Sequence, residues 1–63
     1  MITEPRSVSD MQTAFALADN RKEIYSLLSQ FYDAGNSIEE LSRASGVPVG
    51  EISLVVSLNS RKG

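Results

Sequence analysis

At three places along this chain a serine or asparagine, three residues before a glutamine or glutamate, stands at the head of an apolar stripe: Ser9 and Gln12, Asn20 and Glu23, Ser37 and Glu40. Each pair has the chemistry of a capping box. The first side chain takes a free helix N–H, and the second reaches back to the first residue's own N–H. Behind each cap, apolar residues recur at the spacing of one helical face. Met11, Ala14, Phe15 and Ala18 follow the first, giving a helix from Ser9 to near Asp19. Ile24, Leu27, Leu28 and Phe31 follow the second, with Ala34 extending the stripe. Gly35 stops it, where a chain turning left-handed wants glycine. Ile38, Leu41, Ala44 and Ser45 make a short third helix closed by Gly46.

A fourth segment starts at Pro48, whose missing N–H costs nothing in a first helical turn. Glu51 then suits the positive end of a helix dipole. Ile52, Val55, Val56 and Asn59 form one stripe. So much Ile and Val also fits a strand. The proline, the early glutamate and the capped helix just before favour a helix. The expectation is an all-α fold of three to four short helices, forming one domain over residues 9–59. Residues 1–8, with Pro5, read as a flexible tail, and residues 60–63 as a basic, frayed end.

With 63 residues, no cysteine and no histidine, neither disulfides nor a structural zinc site is expected. A chain this short buries about 60% of its unfolded surface. Well-packed helices or a partner must therefore hold it. The commonest catalytic base and the strongest nucleophile are missing, so no enzyme activity, cofactor or catalytic residue is expected. "GVPVG" lacks the lysine and following hydroxyl residue of a phosphate loop. The net charge of -2 and pI of about 4.8 make a poor match for nucleic acid. No apolar run is long enough to cross a membrane. "MITEPRSVSD" lacks the basic flank and apolar core of a signal peptide, so the cytoplasm is the expected compartment.

Residues 37–58 resemble the helix-turn-helix superfamily, and the likeness extends back to Ile24. Leu41 matches a first-helix core position. Ser42 matches the small residue that lets two helices touch. Gly46 matches the turn, Val47 its plug, and Ile52 and Val55 the core of the second helix. The resemblance implies that the outer side of the second helix reads DNA. Those positions here are Pro48, Val49, Gly50, Ser53 and Leu54. None carries the forked donors and acceptors that match purine edges. The available phosphate contacts are Arg43, Arg61 and Lys62, with Arg21 and Lys22 on the preceding helix, enough for weak binding only.

The same helix carries Leu54 and Leu58 nearly opposite Ile52 and Val56. Apolar residues on both sides of a helix imply burial on both sides, or a side awaiting a partner. The stretch also resembles the C-terminal helical modules of bacterial motility-associated proteins, of the SwrB type and the polar-flagellum type that interacts with the GTPase FlhF. The carriers are Gly35, Ser37, Ile38, Glu39, Glu40, Leu41, Gly46, Gly50, Glu51, Ile52, Leu54 and Leu58. That likeness implies a non-catalytic adaptor. Such proteins have a membrane anchor that this chain lacks, which makes it a soluble relative or an excised domain.

Blander readings stand beside these. Gly50 is either a close-approach site for a partner or an ordinary tolerated glycine. Glu51 reads as a dipole partner rather than a ligand for a basic surface. Leu54 and Leu58 could pack on the first helix, whose place the sequence does not fix. Tyr25 and Tyr32 read as partly buried packing, and Asp33, Glu39 and Glu40 as a solvated face and a cap. The leading expectation is a protein-interaction module using Val49, Gly50, Ser53, Leu54 and Leu58, with a protein partner or a second copy. The alternative is a dimeric DNA-binding regulator of bacterial or phage origin. An antitoxin-like or sigma-factor-binding inhibitor would use the same surface as the leading reading.

Overall fold

The computed structural model describes residues 4–60, with side chains as far as Leu58. The chain forms α1 (Val8–Ala16), α2 (Arg21–Ala34), α3 (Ile38–Ser45) and α4 (Val49–Ser60). The described residues contain no strand. None of their helices is long and apolar enough to cross a membrane. The Ile- and Val-rich last segment is a helix. Its first intrahelical bond runs from the Ile52 N–H to the Pro48 carbonyl at 3.0 Å, so Pro48 stands just ahead of α4. Ile52, Val55 and Val56 are buried on one side of it. A strand there would find no partner for its own hydrogen bonds, because every neighbouring element is helical.

The third cap forms as expected. Ser37 Oγ accepts from Glu40 N–H at 3.2 Å, and Glu40 Oε1 accepts from Ser37 N–H at 3.0 Å. The second is displaced by one residue. Asn20 Oδ1 accepts from Glu23 N–H, but the Glu23 carboxylate takes the Asp19 N–H instead of that of Asn20. The first is not where it was expected. Ser7 caps α1, accepting from Asp10 N–H at 3.1 Å, while Ser9 lies inside the first turn. The helix starts earlier because the chain ahead of it is anchored.

That anchor also corrects the expected tail. Pro5 and Arg6 are held against the corner between α2 and α3, Ser7 and Val8 open α1, and residues 1–3 lie outside the described residues. Asn36, 3% exposed, is the hub. Its Oδ1 accepts from Arg6 N–H at 3.0 Å, and its Nδ2 donates to the Arg6 carbonyl at 2.7 Å and to Glu40 Oε1 at 3.1 Å. Beside it Gly35 has φ +117, and a Cβ built there would meet Pro5 Cγ at 2.9 Å. Gly46 has φ +79 with nothing within 4 Å of such a Cβ. Gly46→Ala should therefore cost only the left-handed penalty, about 1–2 kcal/mol. Gly35→Ala should cost more, because it also displaces the proline ring. Thermal melts of the two variants check the order, and equal losses would remove the role given to Pro5.

Each helix gives one fully enclosed side chain to the core: Met11, Leu28, Leu41 and Ile52. Phe15 and Phe31 meet edge to face, with ring centroids 5.6 Å apart. α1 packs chiefly on α3, and α2 on α4. Among the described residues no Cα of α1 comes within 8 Å of one in α4. The first helix therefore does not lie over Leu54 and Leu58.

Candidate interaction surface

The outer side of α4 follows from its own period. Ile52, Val55 and Val56 are drawn into the core, so positions about 100° to 180° away turn outward. Val49, Gly50, Ser53, Leu54, Ser57 and Leu58 are all exposed. Leu54 and Leu58, one turn apart, keep 64% and 62% of their surface, and Val49 keeps 46%. Gly50, Ser53, Leu54 and Leu58 thus share the outward half of the helix, while Val49 is exposed as the first residue of α4, at the edge nearer the buried stripe. Nothing lies within 4 Å of a Cβ built on Gly50, so no packing inside the chain demands glycine there. The side chains described on this surface carry no charge. A partner meeting it would strip water from leucine, valine and hydroxyl groups only.

Glu51 borders the surface and is engaged. The Tyr25 hydroxyl donates to Glu51 Oε2 at 2.5 Å, pinning α4 to α2. The sequence suggested a dipole partner and missed this bond, whose ends lie 26 residues apart. The carboxylate holds the tyrosine proton, and burial adds to it, so the Tyr25 pKa is raised above its ordinary 10.0. Below pH 10 the hydroxyl is protonated in both folded and unfolded chains, and its contribution is complete. That contribution is lost as pH rises through the raised folded value. Wild type should lose stability more steeply above pH 10 than Tyr25→Phe does, as read by urea unfolding at a series of pH values. Parallel curves would mean that the bond is absent in solution.

The turn into α4 is stitched by serines. Ser42 Oγ donates to the Val47 carbonyl at 2.8 Å, so the residue read as merely small also closes the turn. Ser45 Oγ donates to the Leu41 carbonyl at 2.7 Å and accepts from Val47 N–H at 3.2 Å. These bonds fix where α4 leaves α3, and hence where its outer side points.

The cations expected for phosphate contact are spread over separate elements. Arg43 is exposed in the last turn of α3, and Arg21 and Lys22 are exposed at the start of α2. Arg21 lies close enough to the Tyr25 hydroxyl to favour its ionised form slightly. Arg61 and Lys62 lie outside the described residues. Tyr32, Asp33 and Glu39 are exposed. Glu40 is spent on its cap. The Ser37 N–H and the Asn36 amide hold its carboxyl below the usual value of 4.5. A second apolar surface escaped the sequence reading. An open groove between α1 and α2 has Ala14, Leu17, Ala18 and Leu27 as its apolar part and Glu23, Ser26 and Gln30 as its polar part, with Leu17 77% exposed. Leu17 sits just past the end of α1, where helical periodicity no longer tells which way a side chain points.

No known protein family, curated protein or solved structure matches this chain.

Proposed function

We propose that this chain is a non-catalytic interaction module of the cytoplasm. It docks through the outer side of α4 on a protein partner or a second copy. On this reading α3, the Gly46 turn and α4 form a helix-turn-helix whose reading side has been given over to protein contact. One observation carries it: Leu54 and Leu58 stand 64% and 62% exposed while the opposite side of the same helix is enclosed. A free helix surface of this kind loses about 25 cal/mol for each Å² left in water, which a partner would recover. The sequence pattern that resembles motility-associated adaptor modules would imply the same kind of role. The absence of His and Cys from the sequence supports a role without chemistry.

Two measurements test it. Leu54→Asp should leave the unfolding midpoint within about 0.5 kcal/mol of wild type, as expected for an exposed site. The same change should abolish concentration-dependent association in sedimentation equilibrium, or binding to a partner once found. A large loss of stability would mean that Leu54 is packed in solution. Amide shifts are then followed with a mixed-sequence DNA duplex at low salt, where phosphate attraction is strongest. Salt-reversible shifts concentrated on residues 47–58 would replace this reading with the DNA-binding regulator.

A further inference from the structure

The outward line of α4 is built of unequal residues. Leu54 stands at its middle, with Gly50 one turn before and Leu58 one turn after, each about 40° to one side of it. Both leucines stand well out into solvent. Gly50 leaves a dent between them and the start of the helix. Glycine weakens a helix relative to alanine, and this chain gives no internal reason for it. Its φ is not positive, and a Cβ there would meet nothing within 4 Å. Exposed Ser57 flanks the line on one side. Glu51 flanks it on the other, its carboxylate taken by the Tyr25 hydroxyl.

A dent and two knobs on one line fit a second copy of that line run in reverse. With a two-fold axis beside Leu54, Leu58 of each copy comes level with Gly50 of the other, about 6 Å along the helix from the axis. Each Leu58 then enters a hole edged by Val47, Gly50, Glu51 and Leu54, which any side chain at position 50 would narrow. Run in parallel, the same lines would set glycine against glycine and leave a gap. They would also set Glu51 beside Glu51. Run in reverse, the two carboxylates stand about 9 Å apart along the axis. The helix dipoles then meet with opposite ends together. The leucines, glycine and serines of the line carry no charge, so nothing on it selects an acidic, basic or phosphate-bearing occupant.

We propose that α4 is the interface of an antiparallel, two-fold homodimer centred on Leu54, with Leu58 of each copy seated beside Gly50 of the other. This rests on the reading of α4 as the contact surface and commits it to a second copy. One side of a 12-residue helix falls short of the roughly 800 Å² per partner of a stable interface, so the dimer is weak, with a Kd on the order of 0.1 mM.

Sedimentation equilibrium of the full chain from about 10 µM to about 1 mM spans that Kd, and the mass should rise from one chain toward two. Leu54→Asp should hold it at one chain. Gly50→Leu is the sharper variant, because it adds apolar surface but fills the hole. Association should weaken by about tenfold or more, as overpacking does. A merely sticky surface would associate more tightly instead, and that result would overturn the proposal. The chain has no cysteine, so single cysteines report the register. Oxidised Leu54→Cys should give a disulfide-linked dimer, because the two positions meet at the axis. Leu58→Cys should not, because the two lie about 12 Å apart along it. Equal linking at both positions overturns the antiparallel pairing. A wild-type chain still monomeric at about 1 mM overturns the second copy alone, and leaves α4 to a different protein if Leu54→Asp unfolds like wild type. Association untouched by Leu54→Asp overturns both this dimer and the role given to α4.

Discussion

Leu41→Ala is expected to unfold a substantial part of the population at room temperature. Leu41 has no exposed surface and sits at the centre of the shortest helix, within the core shared by all four. Truncating such a leucine costs about 2–5 kcal/mol, from lost transfer energy and the cavity left behind. At 0.05–0.15 kcal/mol per residue, a domain of this size holds about 3–9 kcal/mol in total. The loss is therefore comparable to the whole. In thermal terms the midpoint should fall by about 10–30 °C. Leu58→Ala is the matched control, with the same chemistry removed from a side chain that is 62% exposed. It should move the midpoint by a few degrees at most. Comparable falls in the two variants would mean that the core is not centred where described.

Asn36→Ala is expected to cost about 2–3 kcal/mol, close to the sum of its net hydrogen bonds and the stranding of their partners. The Arg6 N–H, the Arg6 carbonyl and Glu40 each lose a partner. Asn36→Asp should not rescue the loss, although it is nearly the same shape. It keeps the acceptor for Arg6 N–H but sets a carboxylate against the Arg6 carbonyl and against Glu40. Protonation restores a donor, so the Asp variant should recover part of its stability as pH falls below about 4. Urea unfolding of both variants at pH 4 and pH 7 reads this out. An Asp variant as stable as wild type at neutral pH would mean that the Nδ2 bonds contribute nothing.

What could be read from the sequence was local chemistry. The Ser37–Glu40 box and the glycines at 35 and 46 depend on residues within one turn of each other. So do the apolar stripes of α2 and α4. The outward leucines were legible for the same reason, since period alone sets Leu54 opposite Ile52. Their exposure was not, because it hinged on where α1 packs. The missed features join distant positions. Asn36 stands between a glycine and a serine with no local pattern to single it out, and only Arg6, 30 residues away, makes it a hub. The Tyr25–Glu51 bond spans 26 residues. The misplaced first cap has a related cause. Ser7 and Ser9 are both able to cap, and the choice falls to Ser7 because the docked Pro5–Arg6 segment delivers the chain to the helix at that point.

The order in which the helices pack bears on how the molecule assembles. α1 leans mainly on α3, and α2 mainly on α4, so the principal pairings skip over a neighbour along the chain. The two halves of the chain are thus interleaved, and the enclosed side chains of α1 and α2 are fully covered only when α3 and α4 are in place. Closing the core needs all four helices. The outer side of α4 takes no part in that closure. Its six exposed positions are free to drift, so successive substitutions there could change the character of that surface without changing whether the chain folds.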